Sequence, residues 1–352
     1  MDSLTQMALG AAVSVAAMGR RTAAWKAAAW GALAGTLPDL DAFIDHGDAV
    51  LNMTLHRANS HSLLWLTLGA PALAWVVSRW QGEAGLFKRW WLALWLALFT
   101  HPLLDTMTVY GTQLLRPFTD HPFAVGSVFI IDPAYTLPLL VGVIAAMAAW
   151  RASGLRWNLA GLVLSTLYLG WSMGAQQWAT AQARASLAEA GIEAQRLLVT
   201  PSPFNTVLWR LVAMAPDHYY EGHVSLLDNG TRIRWTEHSR GAELEGVLGE
   251  HDAVRRVAAF SHGFYSLSTL NGGYQVTDLR MGQEPRYTFR FDIDPQQPER
   301  PSVLAGARPD LDVALPWLWQ RLRGWDVPSP GALALGEGPA TDPPPGLSDP
   351  VR

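Results

Sequence analysis

The sequence contains no cysteine. That absence excludes disulfides and thiolate metal sites, so any transition metal must take His nitrogens and Asp or Glu oxygens. Charge is also sparse: Asp, Glu, Lys and Arg supply 16% of residues against 49% hydrophobic ones, which is too apolar for an ordinary soluble enzyme. A net charge of −4 offers no basic footprint for displacing counterions from phosphates, and nucleic acid is set aside as a partner. The opening MDSLTQMALGAAVSVAAMGRR lacks the positive n-region of a secretory signal, since Arg20 and Arg21 follow the apolar run, and it reads as a retained membrane helix.

What the chain does have is a concentration of Ala, Leu, Trp and Val in its first ~180 positions. The expected fold is an α-helical membrane domain of about six hydrophobic helices over residues 1–178. A connecting helix (179–195), a small antiparallel β domain (196–295) and a C-terminal helix with a disordered tail (296–352) follow. The expected spans are 4–19, 23–37, 62–80, 90–104, 136–150 and 158–178, the first two being short and Ala/Gly-rich in a way that suits close helix packing. Arg20, Arg21, Lys26, Arg79, Lys88, Arg89, Arg151 and Arg156 fall in alternate connections, which the positive-inside rule places in the cytoplasm. The remaining loops and the C-terminal domain are then periplasmic. Five of the ten histidines, His46, His56, His61, His101 and His121, lie in those two loops.

His101 and Asp105 are spaced i, i+4, so on a helix both leave one face, as two ligands of one metal must; a helix-end hydrogen bond is the plainer alternative. Pro102 is compatible with that helix if it begins near His101 or kinks there. Asp39 and Asp41 stand in Leu-Pro-Asp-Leu-Asp at a span end, as ligands or as residues that stop the helix. His56 and His61 flank Arg57 in His-Arg-Ala-Asn-Ser-His-Ser, a grouping suited to a metal beside a phosphate-like anion. His46, Asp48, Asp120 and His121 read as solvated loop residues. Tyr110, Gly111, Thr112, Gln113 and Arg116 form a polar stretch that orients a head group or hydrates the loop.

MDSLTQ, Gly-Thr-Leu-Pro-Asp-Leu-Asp, His-Arg-Ala-Asn-Ser-His-Ser-Leu-Leu and His-Pro-Leu-Leu-Asp-Thr-Met-Thr-Val-Tyr-Gly-Thr-Gln-Leu-Leu together resemble the YdjM-type family of bacterial inner-membrane, metal-dependent hydrolases. That family is similar at a distance to zinc-dependent phospholipase C and single-strand nucleases, which bind zinc through a His-x-x-x-Asp element. The resemblance matches His101 and Asp105 to that element, and Asp39, Asp41, His56 and His61 to the other polar motifs. It implies phosphoester hydrolysis. Many relatives have His where this chain has Gln6, and an amide is a poor zinc ligand, with Asp2 as a replacement on the same side.

The resulting expectation is one to three divalent ions, zinc foremost, bound by Asp39, Asp41, His56, His61, His101 and Asp105. Asp39 and His101 belong to the catalytic group, while Arg57 and Arg116 hold a phosphate oxygen of a membrane lipid or lipid-linked substrate. The rival is a non-enzymatic membrane protein with a structural metal site, a transport pathway or a partner-recruiting β domain. In the second half, strands are expected at 206–213, 222–227, 231–236, 273–279 and 286–293, with turns at Asp228-Asn229-Gly230 and Asn271-Gly272-Gly273, and an amphipathic helix over 309–325. The histidines there have no ligand-like spacing.

Overall fold

In a computed structural model, the described residues are 1–148, 152–230, 232–270, 272–294, 301–304 and 310–330. The first two helices, α1 (Ser3–Met18) and α2 (Ala24–Thr36), cross where side chains vanish. A Cβ on Gly10 would lie 2.3 Å from the Gly31 carbonyl oxygen, and one on Gly35 would lie 2.6 Å from that of Gln6. Only glycine permits this approach. The end of α2 is set by Pro38, and the chain turns through a 3₁₀ segment, Pro38–Phe43, before α3 (Ala49–Leu55), whose first turn Asp48 caps.

A second pair, α4 (Leu63–Trp80) and α5 (Phe87–Thr106), packs beside the first, and α6 (Pro133–Ala148) and α7 (Ala152–Glu189) complete the helical half. Thr22 and Lys26 meet Glu83, so the α1–α2 and α4–α5 connections lie at one end of the bundle. Met1, the end of α2, the start of α4 and the end of α5 are therefore gathered at the other.

Six helices thus occupy the stretches expected to be apolar, but their reading as six hydrophobic membrane spans is corrected. Among the described residues, Leu63–Trp80 alone is both long and apolar enough to cross a bilayer. The reason is physical: α1, α2 and α6 have 16, 13 and 16 residues against the ~20 a bilayer core requires. The other two long helices are polar for their length, since α5 carries Lys88, Arg89, His101 and Asp105 and α7 intersperses Asn158, Ser165, Thr166, Ser172, Gln176 and Gln177 among its apolar residues. Trp150 and Arg151 lie outside the described residues. The connecting helix expected after residue 178 is no separate element, because α7 continues through it. Ala175, Ala179 and Ala183 recur at i+4 and pack against Val199, Trp209, Leu211 and Val224.

The second half is more than a small β domain. One antiparallel sheet has the order β1 (Arg196–Pro201), β2 (Leu208–Met214), β3 (His218–Ser225), β4 (Thr236–Ser239). After α8 (Glu245–Leu248) and α9 (Asp252–Phe260) come β5 (Tyr265–Leu270), β6 (Gly273–Asp278), the two-stranded ribbon β7 (Gly282–Gln283) and β8 (Arg286–Tyr287), then β9 (Arg290–Ile293) and β10 (Ser302–Val303). The second sheet runs β10-β9-β6-β5, and α10 (Leu311–Leu322) closes the described chain apart from a short segment to residue 330.

Strand β2 is buried at every position because alternate residues face two covers. Trp209 and Leu211 meet α7, whereas Val212 and Met214 join Tyr219, Leu279 and Tyr287 on the opposite face. The Asp228-Asn229-Gly230 hairpin is corrected, since β3 ends at Ser225 and β4 begins only at Thr236; Arg321 on α10 binds the Asp228 carboxylate instead. Thr231, Asn271, Pro309 and the tail from residue 331 lie outside the described residues.

The two halves share a core. Val50 and Met53 of α3, with Tyr110, pack against Val254, Val257 and Phe260 of α9 and Val276 and Phe291 of the second sheet. Arg280, paired with Asp278, donates to the Tyr110 carbonyl at 2.9 Å. The β-rich half thereby clamps the loop that follows His101 and Asp105.

Candidate metal centre

The buried stripe of α5 runs Trp90, Leu94, Ala97, Leu98 and continues at the same spacing into His101 and Asp105, both fully buried. The helix does not begin at His101; it passes through Pro102. His61 arrives from the short turn before α4 and Asp39 from the 3₁₀ segment after α2. Four groups from three separate stretches of sequence converge: one ligand atom from each of Asp39, His61, His101 and Asp105 lies within 4.8 Å of the other three.

Their spacing is that of a coordination shell. The His61 and His101 Nε2 atoms are 3.1 Å apart. Asp39 Oδ1 lies 3.4 and 3.5 Å from them, and Asp105 Oδ2 lies 3.3 and 3.4 Å away. A tetrahedral ion with bonds of ~2.0–2.1 Å has ligand edges of roughly 3.3 Å, which fits these separations.

The surrounding hydrogen bonds decide which way the rings are protonated. His101 Nδ1 is 2.6 Å from the Gly35 carbonyl oxygen, which only accepts, so Nδ1 carries the proton and Nε2 presents a lone pair. Ser60 Oγ contacts the Asp41 carboxylate, also an acceptor, and spends its hydrogen there. It must then accept from His61 Nδ1, 2.9 Å away, which leaves His61 Nε2 facing the group, as a lone pair whenever the ring is neutral. Asp105 Oδ2 has no hydrogen-bond donor despite complete burial. Two lone pairs and two carboxylate oxygens facing one another demand a cation between them.

A proton is the competing cation. Burial disfavours the His61 imidazolium, yet Asp105, Asp39 and Asp41 outweigh it and raise the ring to about 9. Burial pushes the Asp39 carboxyl up, but bonds to His101 and His61 override this and hold it below the usual carboxylate range. The same contest at Asp41 is won by His56, His61 and Ser60, and that carboxyl is also held low.

The other expected residues sit around this group. Asp41 binds His56 Nδ1 at 2.8 Å and the Arg57 amide at 2.9 Å, standing behind His61. His56 pairs with Asp41 and lies outside the group of four. Arg57 is buried in the left-handed region, φ +63°, with its amide on Asp41 and its carbonyl accepting from Gln113. Its Nε approaches Asp105 Oδ2 at 3.4 Å without making a hydrogen bond, and its guanidinium lies over the Tyr110 ring. Arg116 binds Gln113 Oε1 at 2.8 Å, and among the described residues no hydrogen bond or ion pair joins it to the four. Asp2 caps α1 through Thr5. Gln6 donates to Asp105 Oδ1 at 3.0 Å, an oxygen also bound by the Met1 amine.

Sequence reasoning missed the Gly35 carbonyl and Ser60, both of which fix a histidine tautomer. The Gly31/Gly35 spacing was a signal of close packing but not of a carbonyl aimed at a ligand.

The model of the YdjM inner membrane protein family matches residues 1–179, the stretch that contains all four converging groups. A curated relative, the uncharacterized protein YfhP of Bacillus subtilis (strain 168), is 24% identical over 269 residues, covering 73% of this chain and 78% of that protein. No solved structure matches. With half of its length matched by the family model, including every residue of the converging group, this chain belongs to the YdjM inner membrane protein family.

Proposed function

We propose that the chain is a membrane-bound, metal-dependent hydrolase of phosphoesters or lipid-linked substrates, with a zinc-class ion held by Asp39, His61, His101 and Asp105. The observation that carries this reading is the pair of imidazole Nε2 atoms, 3.1 Å apart, meeting the donorless Asp105 Oδ2 at 3.3 and 3.4 Å. Two nitrogens and two carboxylate oxygens suit zinc among the common divalent ions. A bound ion of that class supplies acidified water near neutral pH and neutralises charge on a phosphoryl or carbonyl oxygen.

The chain's own residues support the rest. Asp39 is the one ligand with an open side, at 21% exposure, so substrate approaches past it and its carboxylate is placed to take a proton. Arg57 sets a positive charge beside Asp105 and is the nearer candidate to hold a phosphate oxygen; Arg116, half-buried, is the outer one. Asp41, with His56 behind it, orients His61.

Lipid access is supported by the apolar residues beside the site. Leu40 and Phe43 share the short turn of Asp39 and are 54% and 87% exposed, and Phe118 in the neighbouring loop is 80% exposed. Side chains of this kind stay in water only at a cost. The ends of the bundle differ in charge, since Arg20 and Arg21 lie in the α1–α2 connection and Lys26, Arg79, Lys88 and Arg89 in the helix ends beside it, opposite the site. By the positive-inside rule that charge difference supports a position of the site on the periplasmic side of the inner membrane.

A second reading rests on burial: His61, His101 and Asp105 are fully enclosed, as in a structural metal site. Turnover of phospholipid and of a soluble aryl phosphate by the zinc-loaded protein separates the two. Metal-dependent turnover lost in His101→Ala supports the hydrolase. Tight zinc without turnover of either substrate supports the structural role and overturns the hydrolase.

A further inference from the structure

Far along the chain from the metal centre, α10 closes over one end of the first sheet and leaves a cleft lined by His223, Arg232, Arg234, Thr236, Trp317 and Arg321. It holds about 30 Å³ open to the centre of a water molecule. One water needs ~10–15 Å³, so the space takes a single small head group.

Three guanidinium groups meet there, and two are already neutralised. Arg321 binds Asp228 through both terminal nitrogens, and Arg234 pairs with Asp326 at the rim. Arg232 is exposed and, among the described residues, makes no hydrogen bond or ion pair. The cleft therefore keeps one uncompensated positive charge.

The floor carries a second, independent sign. His223 is 5% exposed, lies edge-on to Trp317 at 5.0 Å, and its Nε2 has no hydrogen-bond partner. A buried ring nitrogen without a partner is costly unless something fills its position. Burial holds this histidine down at about 4, so near neutrality the ring is uncharged and Nε2 is either an N–H donor or a lone pair. A carboxylate or sulfate, having only acceptors, satisfies the first form alone. A phosphate group with its second pKa at about 6 carries both P–O⁻ and P–OH and satisfies either.

We infer that this cleft binds the phosphate group of a small ligand, with Arg232 as the cationic clamp and His223 Nε2 as the contact at its floor. The same chemistry arrives as free phosphate or as the head group of a phosphomonoester lipid.

The test uses the full chain in detergent, titrated with inorganic phosphate by calorimetry, and separately the chain mixed with phosphatidylcholine vesicles with and without phosphatidic acid. Arg232→Ala removes an exposed side chain that makes no hydrogen bond or ion pair among the described residues, circular dichroism checks that the variant is folded, and binding in the responsive arm is expected to weaken about tenfold or more. Arg255→Ala, an exposed arginine on α9, serves as the control and leaves binding unchanged. His101→Ala removes any phosphate held at the metal centre and leaves the Arg232-dependent component unchanged, because the cleft is a different site. A shift of the His223 Nε2 signal on titration places the ligand at the floor. Dependence on Arg232 with phosphate alone identifies a free ion, and dependence with phosphatidic acid vesicles alone identifies a lipid; both support the inference. No saturable binding in either arm, or binding lost in His101→Ala but retained in Arg232→Ala, overturns it.

Discussion

Replacing Gly35 by alanine tests the metal centre without touching a ligand. The added Cβ would lie 2.6 Å from the Gln6 carbonyl oxygen and 3.3 Å from Gly10 Cα. Both neighbours are backbone and cannot swing aside, so reaching an ordinary 3.4 Å contact requires α1 and α2 to separate by about 0.8 Å. The Gly35 carbonyl moves with α2, and its bond to His101 Nδ1 is stretched from 2.6 Å toward the limit of a hydrogen bond. Overpacking of this kind costs about 1–3 kcal/mol of stability. Loss of the group that orients a ligating histidine costs roughly 10–100-fold in metal affinity. Zinc affinity is read by competition against a chromophoric chelator in detergent, with folding followed by circular dichroism. Gly69→Ala on α4 is the control, because its Cβ would meet nothing within 4 Å. A folded Gly35→Ala protein that binds zinc as tightly as Gly69→Ala and the wild type would refute the claim that this carbonyl sets the His101 tautomer.

Three further outcomes are expected. Asp41→Asn keeps the packing but weakens the acceptor behind His61, and zinc affinity falls roughly 10–100-fold while one ion still binds at saturation. Glu221→Ala strands the buried Arg210 guanidinium, which the Leu279 carbonyl and Tyr287 hydroxyl alone do not neutralise, and lowers stability by about 3–5 kcal/mol in denaturant titration. His223 is neutral when folded, with a value of about 4 against 6.5 unfolded, so its contribution is complete above 6.5 and is lost as pH falls toward 4. The loss amounts to about 3 kcal/mol, read as a fall in melting temperature that His223→Gln abolishes.

The converging group was legible in the sequence to the extent that its members are chemically conspicuous. His and Asp residues flanking apolar runs stand out, and the i, i+4 spacing of His101 and Asp105 places both on the buried face of one helix. Which of the six candidates converge was not legible. Asp39 and Asp41 are two positions apart, yet the 3₁₀ turn sends the first into the group of four and the second behind His61, where Ser60 and the Arg57 amide hold it.

Helix positions followed from apolar periodicity, but membrane crossing did not, because residues such as Ala12, Ala27 and Ala93 are apolar for the sake of neighbouring helices. The continuation of α7 past Gln176 and Gln177 was hidden for the opposite reason. Its polar residues suggest an end, while Ala179 and Ala183 are held by a sheet that is distant in sequence. The strand assigned to 231–236 fell short of β4 because Arg232 and Arg234 alternate with apolar residues without pairing in the sheet; their side chains belong to the cleft under α10.

The central claim is that Asp39, His61, His101 and Asp105 share one cation. Elemental analysis of the purified chain after zinc loading and removal of free ion tests it most directly. One ion per chain is expected, falling toward zero in a folded His61→Ala/Asp105→Asn variant. A wild-type protein that retains no divalent ion, or a double variant that still retains one, would contradict it.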